Sequence, residues 1–236
     1  MARFGGVKVT WFGHSAFRFI SPNGKVIWVD PWLEHPLAPP DTKEGPKADL
    51  ILVTHGHSDH LGNTIDLAQK TGALVVAIYE IMLYLQKKGL ENLQGMNKGG
   101  TWEWEGIRVT MTDATHSSGI DDAGNVFPGG EAAGFIITFE NGFKVYHAGD
   151  TGLFGGLSLI GDFYKPDLVC LPIGSLFTMG PEEAAYAVTL LKPRWIIPMH
   201  FKTFPVLTGQ PEAFLQALPE EYRDRVIVLK PGETAE

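Results

Sequence analysis

The apolar run Leu50-Ile51-Leu52-Val53 reads as a buried strand, and the ten residues after it narrow the fold more than any other stretch. Thr54-His55-Gly56-His57-Ser58-Asp59-His60-Leu61-Gly62-Asn63 packs three histidines and a carboxylate into six positions, although the 236-residue chain has only 8 histidines. Ile65 to Lys70 then reads as a helix, with Asn63 or Thr64 available as its cap. The cluster therefore sits on a strand-to-helix loop. His55 and His57 are two apart and point the same way in extended chain, and Asp59 and His60 turn in as the chain bends. Imidazoles and a carboxylate converging on one point are what a metal ion needs.

Around this loop the pattern changes character. Val7–Trp11, Ala16–Ile20 and Lys25–Val29 read as three strands of a β-meander, with Ser21-Pro22-Asn23-Gly24 as a turn. The meander ends at Asp30-Pro31, and residues 31–48, with five prolines, read as a long loop. After the His-rich loop, helix and strand alternate. Strands are expected at Leu74–Ala77, Ile107–Met111, Gly134–Phe139, Phe143–His147, Asp167–Leu171, Trp195–Pro198 and Arg225–Leu229. Helices are expected at Tyr79–Lys87, 156–164, Pro181–Leu191 and Pro211–Leu218. Residues 117–133 read as a second long loop.

Composition limits the partners. A chain of this length buries a proper core, and 44% hydrophobic with 19% charged residues describes an ordinary globular protein. No linker, repeat or low-complexity tract is present, so residues 1–236 are expected to form one domain. A formal net charge of -8 disfavours a general nucleic-acid binder, although bound divalent ions would add positive charge where a phosphate docks. The single cysteine, Cys170, excludes an internal disulfide, and its apolar surroundings read as a buried strand rather than a nucleophile. With no apolar targeting core after Met1 and no run near the roughly 20 residues of a membrane span, a cytoplasmic protein is expected. Homo-oligomerisation stays open.

Further ligand-type residues fall at strand ends. His116 follows one strand, Asp150 in Ala148-Gly149-Asp150-Thr151-Gly152 a second, and His200 a third. If these strands lie in sheets packed face to face, His55, His57, Asp59, His60, His116, Asp150 and His200 converge at one edge. Seven nitrogen and oxygen ligands exceed one tetrahedral zinc and suit two metals about 3.5–4 Å apart with a carboxylate between them.

The pattern His55-x-His57-x-Asp59-His60 with His116, Asp150 and His200 resembles the ligand set of the metallo-β-lactamase superfamily, as does Gly149-Asp150-Thr151. Trp11-Phe12-Gly13-His14-Ser15 and His200-Phe201-Lys202-Thr203-Phe204-Pro205 resemble its branch of small metal-dependent hydrolases, near the ascorbate-phosphate lactonase type. The resemblance implies an α/β fold, a four-layer αββα sandwich, over nearly the whole chain. It implies that His55, His57 and His116 hold one metal ion, that Asp59, His60 and His200 hold a second, and that Asp150 bridges them. Zinc is expected, and manganese or iron also suits such ligands. His57, where some oxygen-reducing relatives carry Glu, favours hydrolysis over redox work. The absence of a cysteine ligand speaks against antibiotic hydrolysis.

The implied reaction is attack by a bridging hydroxide on an ester, lactone or phosphoester of a small anionic substrate, with Asp59 as proton acceptor and Lys202 available for the anion. A nucleic-acid phosphodiesterase or ribonuclease is an alternative, and a non-catalytic metal-binding protein another. Asp30 either orients a ligand histidine or caps its loop. His14 is expected as a catalytic residue that reaches the mouth of the site. His147 is either a partner behind the ligands or a packed residue, with packing favoured. His35 is expected to be exposed.

Overall fold

The computed structural model describes residues 3–43 and 46–236. Residues 1 and 2, at the lead-in to the first strand, and residues 44 and 45 of the Pro-rich loop lie outside the described residues.

The alternating opening folds as expected into β1 (Lys8–Gly13), β2 (Ala16–Ile20) and β3 (Val26–Val29), an antiparallel meander. β4 (Leu50–Leu52) joins β3 in parallel. It is buried along its whole length, as an apolar run with no polar face requires, and each such side chain contributes about 1.5–3 kcal/mol. One helical turn, α1 (Ser58–Leu61), and α2 (Thr64–Thr71) return the chain to β5 (Leu74–Ile78), also parallel to β4. α3 (Tyr79–Lys87) then leads to β6 (Leu93–Met96), the sheet edge.

The second sheet starts with β7 (Thr101–Trp104) and β8 (Ile107–Asp113). A separate hairpin, β9 (Gly119–Asp122) and β10 (Asn125–Pro128), interrupts it before β11 (Ala133–Thr138) and β12 (Lys144–His147). α4 (Gly156–Leu159) runs on into a π-helical turn at Ile160–Tyr164. β13 (Leu168–Pro172), α5 (Pro181–Leu191) and β14 (Trp195–Met199) form a parallel crossover, followed by α6 (Pro211–Ala217), α7 (Glu220–Arg223) and β15 (Thr234–Ala235).

The strand orders are β15-β1-β2-β3-β4-β5-β6 and β14-β13-β12-β11-β8-β7. Their inner faces share one hydrophobic cluster, in which Phe19 of the first sheet lies 6.3 Å from Phe139 beside the second. The crossover helices cover the outer faces, as parallel connections demand. This is the αββα sandwich. β8 and β12 are both antiparallel to β11, and β14 runs parallel through β13, so β8, β12 and β14 all finish at one edge. The Ala133 N–H donates to the Thr54 carbonyl at 3.0 Å and ties that edge to the end of β4.

Three expectations fail and two strands go unanticipated, for identifiable reasons. Residues 117–133 are not one loop: β9 and β10 pair across Ala123-Gly124, both at positive φ (53° and 82°), and the fully exposed β10 has no apolar face to betray it. β6 and β7 are half-buried edge strands with weak alternation. Residues 225–229 form no strand beyond one bridge from Val226 to Ile196, and the terminal strand is β15, which pairs with β1. Asn63 precedes α2, but its side-chain oxygen accepts from the Leu33 N–H at 2.8 Å, tethering the Pro-rich loop instead of capping the helix. That loop also holds a 3-10 turn, Pro40–Lys43.

Candidate metal centre

The ends of β3, β4, β8, β12 and β14 deliver Asp30, the His-rich loop, His116, Asp150 and His200 to one place. Gly149 makes the approach possible. Its φ is 60°, and a side chain there would stand 2.7 Å from the Ala133 carbonyl and 2.9 Å from Thr54.

All seven expected ligands meet. His55, His57 and His116 bring a donor atom each within 4.8 Å of one another, and so do His14, Asp59, His60 and His200. Asp150 stands between the groups. Its Oδ2 lies 3.0 Å from His200 Nε2, 3.2 Å from His60 Nε2 and 3.7 Å from His116 Nε2. The helical turn α1 swings Asp59 and His60 inward, the bend expected from the sequence. Asp59 is 27% and His116 12% exposed and His57 is half-buried, while His55, His60, Asp150 and His200 are buried. Trp32 and Phe204, stacked 5.8 Å apart, flank the His14–Asp59 side.

Asp30 reaches the candidate ligand histidines rather than only capping its loop. It is fully buried, accepts from the Thr54 N–H and hydroxyl at 2.8 and 2.6 Å, and lies 2.7 Å from His60 Nδ1. Since the Thr54 hydroxyl donates to Asp30, it accepts from His55 Nδ1–H at 3.0 Å. Both rings are thereby turned with Nε2 toward the centre.

Charge distribution follows from the packing. Burial and the neighbouring His60 push His55 well below the ordinary histidine pKa. Burial also opposes a charged His60, yet Asp150 and Asp30 on its two nitrogens more than offset this and hold it well above the usual value. Burial alone would raise Asp59, but the His14 hydrogen bond and His60 hold it below the carboxylate range. Asp150 is likewise held low, by His200 and His60, against its burial.

The donor set fits a cation. His60 Nε2, both nitrogens of His200 and Asp150 Oδ1 are buried without a hydrogen-bond partner, because the close distances to Asp150 Oδ2 lack hydrogen-bond alignment. Each such orphan costs about 1–3 kcal/mol unless something satisfies it. Since an imidazole offers one ligand atom to an ion, three of these atoms, on His60, His200 and Asp150, are nitrogen and oxygen donors of the kind divalent ions coordinate.

Two sequence expectations need correction. His14 does not stand at the mouth; it is fully buried, beneath Asp59 and Thr203, and burial with the adjacent His200 lowers its pKa to about 3. His35 is buried, not exposed, contacting the Phe12 carbonyl through Nε2 at 3.0 Å and accepting from the Leu37 N–H through Nδ1. Lys202, at φ 62°, places its ammonium 5.9 Å from the Phe201 ring, and no ion pair joins it to Asp59 or Asp150 among the described residues. His147 packs as favoured, donating to the Ser15 carbonyl and lying edge-on to Phe17. Cys170 is a buried β13 residue. Thr54 and Thr203 are contributors that sequence reading overlooks. Thr54 was findable, as the residue between an apolar strand and the first histidine; Thr203 leaves no local signal.

Residues 8–200 match the model of the β-lactamase superfamily domain. A metal-dependent hydrolase of Methanosarcina barkeri is 50% identical over 97% of this chain and 98% of its own length, and one from Koribacter versatilis is 46% identical over 97% of each. The solved structure of a metallo hydrolase from the archaeon Ignicoccus hospitalis superposes with a TM-score of 0.88 at 38% identity, over 97% of both chains. An isothiocyanate hydrolase from Delia radicum gut bacteria shares the fold, with a TM-score of 0.77 at 20% identity, over 97% of this chain and 98% of that one.

Proposed function

The chain belongs to the β-lactamase superfamily and to the metal-dependent hydrolases within it, and from that premise we propose that it hydrolyses its substrate at a centre of two divalent cations. His55, His57 and His116 would hold one ion and Asp59, His60 and His200 the other, with Asp150 near both groups. The observation that carries this reading is the group of buried, unpartnered donor atoms on His60, His200 and Asp150, beside a second set of three imidazoles.

Bound there, divalent cations supply Lewis acidity and a water of lowered pKa. The chain's own residues do the rest. Asp30 and Thr54 present the Nε2 atoms of His60 and His55. Asp59, kept ionised by its hydrogen-bond partner, accepts the proton of the attacking water. Burial of His55, His60, Asp150 and His200 leaves water to approach from the side of His57, Asp59 and His116. Zinc is the ion favoured, with manganese and iron accommodated by the same donors.

The substrate is a small molecule with an ester, lactone or phosphoester bond. A net charge of -8 opposes a polynucleotide, which would need a basic track to the centre. No helix among the described residues is long and apolar enough to cross a membrane, and the substrate is taken from water.

Metal analysis of the purified protein, with hydrolysis assays on lactones, phosphomonoesters, phosphodiesters, carboxylic esters and RNA, tests the reading. Two ions per chain are expected, with turnover of one small-molecule class that a chelator abolishes and added metal restores. Saturation at one ion or none would overturn the two-cation centre, and turnover of RNA alone would replace the substrate class.

A further inference from the structure

His14 follows β1 at φ 51° and is clamped before its side chain does anything. Its carbonyl accepts from the Trp11 indole N–H at 2.9 Å and from the His200 N–H at 3.0 Å. The ring has His200 on one side at 3.9 Å between centroids, with Trp32, His60 and Phe204 at 5.2, 5.4 and 5.9 Å. So enclosed a ring holds one rotamer. In that rotamer each nitrogen has one partner: Nε2 faces Asp59 Oδ2 at 3.0 Å, and Nδ1 faces Thr203 Oγ1 at 2.9 Å.

The proton positions follow by elimination. An ionised carboxylate only accepts, so His14 Nε2 carries the hydrogen. The Thr203 hydroxyl has two acceptors within reach, His14 Nδ1 at 2.9 Å and the Phe201 carbonyl at 3.5 Å. The first is well inside hydrogen-bond distance and the second at its limit, so the hydroxyl donates to Nδ1. Thr203 is buried and lies three residues beyond His200, so one turn carries both a candidate ligand and this hydroxyl.

We propose that Thr203 and His14 are positioning residues, in which the Thr203 hydroxyl, donating to Nδ1, locks the His14 ring whose Nε2–H the Asp59 carboxylate requires, and His14 in turn holds Asp59 in the orientation that serves the second cation. The proposal rests on the reading of Asp59 as a ligand and goes beyond it. It removes His14 from contact with substrate and gives Thr203 a role at two bonds' remove from the metal. Partners behind a ligand of this kind typically change metal affinity or activity by about 10–100-fold when removed.

The test has two readouts. In protein stripped of metal, nitrogen-15 chemical shifts report the His14 ring: Nε2–H with a hydrogen-bonded Nδ1 in the wild type and in Thr203→Ser, and Nε2–H with a free Nδ1 in Thr203→Val. Chelator-competition titration with zinc reports the ions: Thr203→Val weakens the second by about tenfold and His14→Phe by about a hundredfold, with the first retained. His14→Gln puts an amide N–H near the Nε2 position but is a poor metal ligand. It is expected to keep the second ion within severalfold of wild type, and Thr203→Ser to restore wild-type affinity. If His14→Gln loses the second ion as completely as His14→Phe, His14 is itself a ligand and the proposal falls. If Thr203→Val leaves both the Nδ1 shift and the affinity unchanged, the role of Thr203 falls. A wild type that never takes a second ion overturns the two-cation reading instead, while the nitrogen-15 measurement still decides the hydrogen-bond relay. Thermal melting of each variant separates misfolding from loss of metal.

Discussion

The two halves of the centre are built differently. His55, His57 and His116 are three imidazoles that partly satisfy one another: His55 Nε2 and His57 Nδ1 are 3.0 Å apart, and the Ser117 hydroxyl meets His57 Nε2 at 3.2 Å near the surface. His60, His200 and Asp150 are buried deeper, with four unpartnered atoms, and are backed by Asp30 and by His14 on Asp59. A half whose donors can pair with one another tolerates the loss of its ion. A half full of orphaned atoms does not, because each unsatisfied buried group costs about 1–3 kcal/mol. The deep half is therefore expected to bind its ion more tightly and to lose more when it is removed.

The sharpest way to break this asymmetry is to remove the residue both halves share. Asp150→Ala is expected to empty both sites and reduce turnover by at least about 10³-fold, the scale on which losing a major electrostatic element acts; elemental analysis and initial rates check it. His57→Ala, by contrast, should leave one ion bound, and equal loss of both ions would end the distinction.

Acid probes the wall behind the deep half. His147, on β12 three residues before Asp150, is buried without charge, and burial lowers its pKa from 6.5 to about 4. Its folded-state pKa lies below its unfolded one, so the unfolded chain binds the proton first. Stability is full above pH 6.5 and falls as pH drops toward 4, by about 3 kcal/mol in all. Urea midpoints between pH 7 and 4 should trace this fall, and His147→Leu should flatten it.

Asp30→Asn replaces an acceptor shared by Thr54 and His60. It should weaken the deep ion by about 10–100-fold and the shallow one less, since His55 is reached only through Thr54; zinc titration decides the order. The smallest effect is expected at Ser117→Ala, which removes one exposed hydrogen bond to His57. It should change the shallow site by less than about tenfold, consistent with about 0.5–1.5 kcal/mol for a single bond.

Legibility in the sequence tracked burial. β2, α3 and α5 match their expected bounds, because apolar periodicity and a Pro or Gly at or near an end leave one reading. The strands that escaped, β6, β7, β9, β10 and β15, lie at edges or outside the main sheets, where half-exposed residues carry little pattern. The site divided in the same way. The seven candidate ligands were visible as residue types at strand ends. His14 and His35 were misjudged because a histidine in a loop looks the same whether solvent or a neighbouring turn surrounds it. In both cases a tertiary contact, with Asp59 and with Phe12, decided.

By itself, then, the amino-acid order determined the elements with a buried face and the chemical kind of the centre, because local periodicity and donor type are properties of short stretches. Only the tertiary structure decided which donors are satisfied and which are left bare, and which turn supports which ligand. Those facts depend on residues such as His14, Asp59 and Thr203, separated by 45 and 189 positions in the chain and joined by hydrogen bonds of about 3 Å, a distance that no local pattern encodes.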